Sequence, residues 1–304
     1  MSEKSLARSY LELTRIHKFP LGSDLLIWPS VWGLLLAAHN HQVDTKSLVV
    51  QHVWFALGST LVHCAACVIN DICDRHLDGK VERTRNRPLV TGLISVFNAS
   101  VFLVALTGLA VYLLSYATNP TAFNWGLIGV FPFHAFYPLM KRVTYWPQAW
   151  LGFAMNWGML VSYLNNTGGQ MDSHILVLLL GTVAWTILYD TIYAFQDIQD
   201  DIKVGNKSTA ILFGEDNAKS ILCGFGLVFL ASLFYTGIQN NQGASFFLIS
   251  FGGALLHVLW QLGTWVVYNG DDCGSKFRAN GDLGGIIWFG LFVDYCFKSG
   301  TIAA

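Results

Sequence analysis

Nine apolar stretches, near residues 20–38, 50–69, 93–115, 120–138, 146–164, 174–195, 218–237, 245–268 and 282–298, constrain this chain most. Each is close to the 17–25 residues that a helix needs to cross a bilayer. Backbone groups in hydrocarbon must be satisfied internally, and helices of this length do that. Of the 304 residues, 53% are hydrophobic and only 12% are charged. A soluble chain normally carries about twice that charged share. The net charge of −1 offers nothing to nucleic acid or another strongly charged partner. The expectation is an all-α, multi-pass membrane bundle of nine transmembrane helices. Trp, Tyr and Phe make up 14% of the chain and either form interfacial belts or line a pocket.

Lysine and arginine provide an independent check on the layout. Alternating the nine crossings puts the N-terminus and the connections 70–92, 139–145, 196–217 and 269–281 on one side. Counting Lys219 with its adjoining connection, that side holds 16 of the 18 Lys and Arg residues; Lys46 and Lys298 lie opposite. By the positive-inside rule the basic side faces the cytosol. Adding or removing one internal crossing would destroy the asymmetry. No linker or soluble domain interrupts the pattern, so residues 1–304 read as a single membrane domain. The first 18 residues form a mixed-charge amphipathic segment without a cleavable signal pattern, and the first crossing serves as the membrane signal.

Two acid-rich segments fall on the basic side, each directly after an apolar run. Asn70, Asp74 and Asp78 are spaced i, i+4, i+8 and rise along one helix face in steps of about 6 Å. Asp197 and Asp201 repeat the i, i+4 spacing. A lone aspartate at a helix end commonly caps or solvates it. Two rows at one membrane border, where an unpaired carboxylate is costly, suit Mg2+ bound through a few carboxylates and the oxygens of a diphosphate. Asn70, Asp74, Asp78, Asp197 and Asp201 are therefore the candidate metal ligands.

Cations surround both rows. Arg83, Arg85 and Arg87 follow the first, Lys141 and Arg142 follow Tyr137-Pro138, and Lys207 follows the second. A departing diphosphate accumulates negative charge and needs such groups, although cytosolic connections are basic in any case. Cys64 and Cys67 lack a second pair at zinc-ligand spacing and read as packing thiols. His63 and His134 read as core histidines.

At these residues the chain resembles the UbiA superfamily of intramembrane prenyltransferases. Asn70-x-x-x-Asp74-x-x-x-Asp78 with Thr84-Arg85-Asn86-Arg87-Pro88-Leu89 is similar to its first signature, and Tyr189 through Asp197, ending in Asp200-Asp201, to its second. Lys207-Ser208-Thr209-Ala210 and the N-terminal Arg15, Lys18, Pro20 and Trp28-Pro29 also match. The second signature is nearest the 4-hydroxybenzoate polyprenyltransferase branch. Phe19 interrupts that branch's Lys-Pro, and Phe195-Gln196-Asp197-Ile198 stands where it commonly has His-Gln-Asp-Lys. With Val143-Thr144-Tyr145-Trp146-Pro147-Gln148, these departures resemble fungal meroterpenoid enzymes. The resemblance implies helices around a central cavity, open sideways to lipid, with Mg2+-bound diphosphate near the cytosolic face.

The reaction so implied is ionisation of a prenyl diphosphate, farnesyl diphosphate by the fungal resemblance, and attack by an aromatic carbon of a phenolic polyketide acid. Asp74, Asp78, Asp197 and Asp201 hold the metal. Asn70, Lys141, Arg142, Lys207 and Arg85 bind the donor, and Arg15 meets the acceptor's carboxylate or phenolate. Tyr137, Tyr189, Tyr193 and Trp157 either shield the allylic cation with their ring faces or simply pack. Asp190 is either the base that restores aromaticity or a support for its neighbours. An endomembrane such as the endoplasmic reticulum is the expected location, with no retrieval signal in residues 301–304 and no obligate protein partner. The alternatives are 4-hydroxybenzoate prenylation in ubiquinone synthesis, a CDP-alcohol phosphotransferase, whose compact acidic run is missing here, and a transporter, which would carry its acids at mid-membrane depth.

Overall fold

The computed structural model describes residues 5–41 and 43–301; part of the amphipathic N-terminal segment and the last three residues lie outside them. The elements are α1 (Leu6–Leu13), a 3-10 turn (Ile16–Lys18), α2 (Asp24–Asn40), α3 (Thr45–Asp78), α4 (Val96–Leu114), α5 (Pro120–Ile128), α6 (Ala135–Val143), α7 (Pro147–Asn166), α8 (Ser173–Ala194), α9 (Ile198–Val204), α10 (Thr209–Gln239), α11 (Gly252–Thr264) and α12 (Gly270–Lys298). A π-helical turn, Gly129–His134, joins α5 to α6, and another, Phe246–Phe251, leads into α11. No strand occurs among the described residues. Each of the nine apolar stretches lies mainly on helix, although residues 20–23, 93–95 and 265–268 do not.

Five helical stretches are both long and apolar enough to cross a bilayer unaided: α3, α4, α8, α10 and Phe246–Thr264. The other four differ for identifiable reasons. α2 has 17 residues. α5 and α6 are separated by the π turn around Pro132, which has no N–H to donate. α7 carries Gln148, Asn156, Asn165 and Asn166, and α12 opens with Asp271, Asp272, Lys276 and Arg278. Helix ends also extend beyond the apolar stretches: α3 continues to Asp78, and α12 starts at Gly270 rather than near 282. Hydropathy marks where a helix is apolar, and these ends are polar.

α2 lies at the centre, buried from Pro29 to His39 and packed on α3, α7 and α12. Helices in lipid gain little from burying apolar surface and associate through close packing and polar ties. Gly33 lies so near the Met159 carbonyl of α7 that a Cβ would clash, and Gly181 meets Ser232 of α10 in the same way. Asn156 of α7 donates to the carbonyls of Gly152 at 2.8 Å and Thr182 at 3.3 Å and to Thr186 Oγ1 at 2.9 Å, joining α7 to α8. Trp32 Nε1 donates to the Gly284 carbonyl at 3.1 Å, and Trp185 Nε1 to Asn280 Oδ1 at 2.8 Å, which fix α12. α4, apolar all round, leaves most of its surface outside, as a lipid-facing helix does.

The connections gather at two ends. At one end Asn40 bonds Asn240, Gln51 bonds Asn166, Thr118 bonds Asn165 and Gly243 bonds Asp294. At the other end meet the N-terminal segment, the connection after α3, the ends of α6 and α8, and the start of α12. The functional residues lie there.

Candidate active site

The C-terminal end of α3 carries Asp71, Asp74 and Asp78, all buried. Three carboxylates at a helix C-terminus face both desolvation and the negative end of the helix dipole. Cations from elsewhere in the chain offset both. Arg87 Nη1 contacts Asp78 Oδ2 at 2.6 Å and Asp71 Oδ1 at 3.0 Å, spanning two turns of α3. Arg15 Nη2 contacts the same Asp71 oxygen at 2.7 Å, while its Nη1 donates to the Glu12 carbonyl at 2.7 Å. Asp74 faces α6, with Lys141 Nζ at 3.6 Å and Arg142 Nη2 at 3.3 Å. Arg142 also donates to the Cys73 carbonyl at 2.7 Å. Asn70, one turn before Asp74, makes no side-chain hydrogen bond to the described residues.

The second row faces the first. α8 ends at Ala194, and Asp197 stands at the start of α9 without a side-chain capping bond. Arg83, from the connection after α3, holds Asp197 through Nε, at 3.1 Å to Oδ1 and 2.9 Å to Oδ2, and through Nη2. The Glu82 amide donates to Asp200 at 3.4 Å. Gly205, left-handed at φ 77°, turns the chain so that Asn206 Nδ2 returns to Asp201 Oδ1 at 2.7 Å. Burial raises the Asp201 carboxyl above the usual carboxylate range. The Lys207 amide donates to the Lys141 carbonyl at 2.9 Å, tying this turn to the end of α6. Lys141 thus lies between the rows, within electrostatic reach of Asp74, Asp201, Asp190 and Tyr137.

A sequence model of the UbiA prenyltransferase family matches residues 26–287. The chain belongs to the UbiA prenyltransferase family. A relative from Ampulloclitocybe clavipes, described as UbiA prenyltransferase claS, is 42% identical over 300 residues, covering 98% of this chain and 94% of the relative. The mitochondrial 4-hydroxybenzoate polyprenyltransferase of Arabidopsis thaliana is 39% identical, over 96% of this chain and 70% of that protein. Among solved structures, the apo UbiA homolog from Aeropyrum pernix K1 superposes with a TM-score of 0.76 at 20% identity, over 90% of this chain and 97% of that one. The Archaeoglobus fulgidus UbiA homolog bound to GPP and Mg2+ gives 0.69 at 18% identity, over 94% and 99%. These two likenesses speak for the fold.

Most residues expected at the site of this UbiA prenyltransferase do meet there. Arg85 does not: it is 55% exposed and pairs with Glu82 at 2.5 Å, away from the carboxylates. Its neighbours Arg83 and Arg87 make the contacts instead. Asp71 is the principal residue the sequence reading passed over, because it lies one position off the Asn70-Asp74-Asp78 row. Two arginines converge on its one oxygen, Oδ1, and Oδ2 is buried without a hydrogen bond. Tyr193 carries the Arg83 guanidinium over its ring at 5.3 Å and packs against Phe277 at 4.4 Å. Tyr137 is near Lys141, Asp190 and Asp74, whereas Tyr189 is buried against Trp185 and Phe277. Trp157 stacks on Trp125 at 5.3 Å, deep in the bundle and away from the carboxylates. His63 bonds Ser23 at 3.0 Å, while His134 bonds the Gly129 carbonyl at 2.8 Å and leaves Nε2 buried without a partner.

Beside the rows lies a cavity of about 360 Å3 lined by Arg15, Lys18, Arg83, Arg87, Arg278 and Tyr193 among others. Lys18 and Arg278 form no ion pair with the described residues. Burial and the neighbouring Arg15, Arg83 and Arg87 lower the Lys18 ammonium from its ordinary value.

Among the described residues no three His, Cys, Asp or Glu side chains converge as a ready-made cation site. The donor set nonetheless suits Mg2+, which commonly takes one or two carboxylates and fills its remaining positions with water and phosphate oxygens. Hard carboxylate oxygens from two facing rows, with a further buried oxygen on Asp71, provide such donors.

Proposed function

We propose that this chain transfers a prenyl group, farnesyl by preference, from its diphosphate to an aromatic carbon of a phenolic polyketide acid, with Mg2+. The observation that carries the reading is the Arg83–Asp197 contact, which places the connection after α3 against the second acid row with Lys141 between the rows. The relatives' names support its prenyl transfer, and the Archaeoglobus homolog's complex with GPP and Mg2+ supports a prenyl diphosphate and Mg2+ as its donor and metal.

In this reading Asp74, Asp78, Asp197 and Asp201, helped by Asn70, hold the metal. Bound Mg2+ would neutralise the diphosphate as the allylic C–O bond breaks. Lys141, Arg142, Lys207 and Arg83 exchange carboxylate and carbonyl partners for phosphate oxygens. Tyr137 and Tyr193 cover the allylic carbon, whose cation gains about 2 kcal/mol from a desolvated ring face, and exclude water. The aromatic carbon forms the new C–C bond, diphosphate departs, and the ring proton passes to Asp190. The acceptor's carboxylate lies in the basic cavity with Arg15, Lys18 and Arg278. Nine crossings, with this end facing the cytosol from an endomembrane such as the endoplasmic reticulum, complete the reading.

A second reading, 4-hydroxybenzoate as acceptor, is favoured by the Arabidopsis relative. Microsomes carrying the chain, given farnesyl diphosphate, Mg2+ and either a phenolic polyketide acid or 4-hydroxybenzoate, distinguish the two by product mass. Prenylated product that persists in Asp74→Ala would refute both.

A further inference from the structure

One carboxylate beneath the basic cavity has no part in the steps above. Leu21, Tyr193 and Phe277 stand on the cavity wall. α2 and α12 start at this end of the bundle and α8 finishes there, so the residues one step inward follow from the chain: Asp24 after Leu21, Gly281 four residues after Phe277, and Tyr189 four residues before Tyr193. Such a step is one helical turn, about 5.4 Å. The three inner residues are neighbours. A Cβ on Gly281 would collide with Asp24 Oδ2, so this glycine makes room for the carboxylate. Tyr189 packs edge-on against Phe277 at 5.7 Å and lies within electrostatic reach of Asp24.

The two oxygens of Asp24 differ. Oδ1 accepts from the Gly22 and Leu25 amides, each at 2.9 Å, and so satisfies the start of α2. Oδ2 accepts no hydrogen bond from the described residues, and no Lys or Arg pairs with the carboxylate. Closing the helix needs only Oδ1, and an uncompensated carboxylate oxygen inside a membrane bundle is costly. Tyr189 is just as incomplete: its hydroxyl, although near Thr186, is buried without a hydrogen bond. The two groups also make no bond to each other. One ligand hydroxyl would complete both, donating to Asp24 Oδ2 and accepting from Tyr189.

The spacing selects which hydroxyl. In an aromatic acid the para hydroxyl oxygen lies roughly 6 Å from the carboxyl carbon, at bond lengths of about 1.4–1.5 Å. That span matches the one-turn step from the cavity wall to Asp24. A hydroxyl ortho to the carboxyl lies too near it to bridge the step. The interaction also changes during the reaction. Forming the C–C bond leaves positive charge on the ring, which makes its hydroxyl a stronger donor to a carboxylate. The bond to Asp24 therefore strengthens in the transition state, where it helps most.

Resting on the prenyl-transfer reading, we propose that Asp24 selects the acceptor: with the acid's carboxylate at Lys18 and Arg278, its para hydroxyl donates to Asp24 Oδ2 and accepts from Tyr189. The test uses the full-length protein in detergent with Mg2+, farnesyl diphosphate, and either 4-hydroxybenzoic or 4-methoxybenzoic acid. Asp24→Asn keeps an oxygen for the Gly22 and Leu25 amides but removes the charge. It should reduce the preference for the hydroxy acid, as a ratio of kcat/KM values, by at least about tenfold, the scale of a hydrogen bond to a charged group. The KM for farnesyl diphosphate and the melting temperature should stay near those of the unaltered protein. An unchanged ratio, or an equal loss with both acids, would overturn the inference, since a merely structural aspartate would affect both alike. Protection against thermal unfolding reads the same preference without turnover and needs no variant. The hydroxy acid should protect the unaltered protein more than the methoxy acid does, and equal protection, or none from either, would overturn the inference. Selective protection that Asp24→Asn abolishes, with no transfer to either acid, would count against the reaction and leave the hydroxyl site standing.

Discussion

Arg83 holds both carboxylate oxygens of Asp197 across a sequence separation of 114 residues. The contact closes the gap between the two acid rows and needs a planar guanidinium. Arg83→Lys keeps the charge but not the paired geometry. The pair is partly exposed, so its contribution to stability is about 1 kcal/mol at most. The expected outcome is a fall of roughly 10- to 100-fold in kcat/KM for the prenyl diphosphate, with a melting temperature near that of the unaltered protein. Steady-state kinetics and a thermal melt on one preparation check it.

Arg85 and Arg87 stand two residues apart and should behave oppositely. Arg85→Ala removes a solvated contact with Glu82, and activity should stay within about twofold. Arg87→Ala leaves Asp71 and Asp78 with fewer compensating cations in a buried setting, at a cost of about 3–5 kcal/mol. It should lower both expression and melting temperature. Detergent melts of the two variants side by side test the assignment.

Gly33 and Gly181 set how closely α2 approaches α7 and α8 approaches α10. Gly33→Leu should fail to yield a monodisperse protein, since the clash is with the backbone carbonyl of Met159, which cannot turn away as a side chain can. Size-exclusion chromatography in detergent provides the check, with Gly58→Ala as a tolerated comparison.

Metal removal should abolish turnover reversibly. Mg2+ restores activity after chelation. Ca2+, which prefers more oxygen ligands at longer distances, should restore far less. A chelator titration followed by readdition of each ion, read as diphosphate release, tests this.

Much of this was legible in the chain because lipid imposes simple rules. Helix positions followed from apolar length, and the grouping of connections followed from where Lys and Arg lie. The two carboxylate rows were legible from helical spacing and their place at an apolar border. What stayed hidden depended on direction. Arg83, Arg85 and Arg87 alternate along an irregular connection, and nothing in their spacing shows which two turn inward. Asp71 looked peripheral because the row was read at strict four-residue steps, although position 71 is also one turn from positions 74 and 75. Trp125 of α5 stacks on Trp157 of α7 at 5.3 Å, a meeting between two helices that no local pattern shows.

The proposed reaction depends on the two acid rows acting on one diphosphate. The most direct test compares Mg2+-dependent diphosphate release from farnesyl diphosphate by Asp74→Asn, Asp197→Asn and the double variant. Rows that share a ligand predict that each single change removes most of the activity, by at least about a hundredfold, and that the double change is little worse than either. Losses that multiply in the double variant, or a single variant that keeps near-normal release, would contradict a shared site.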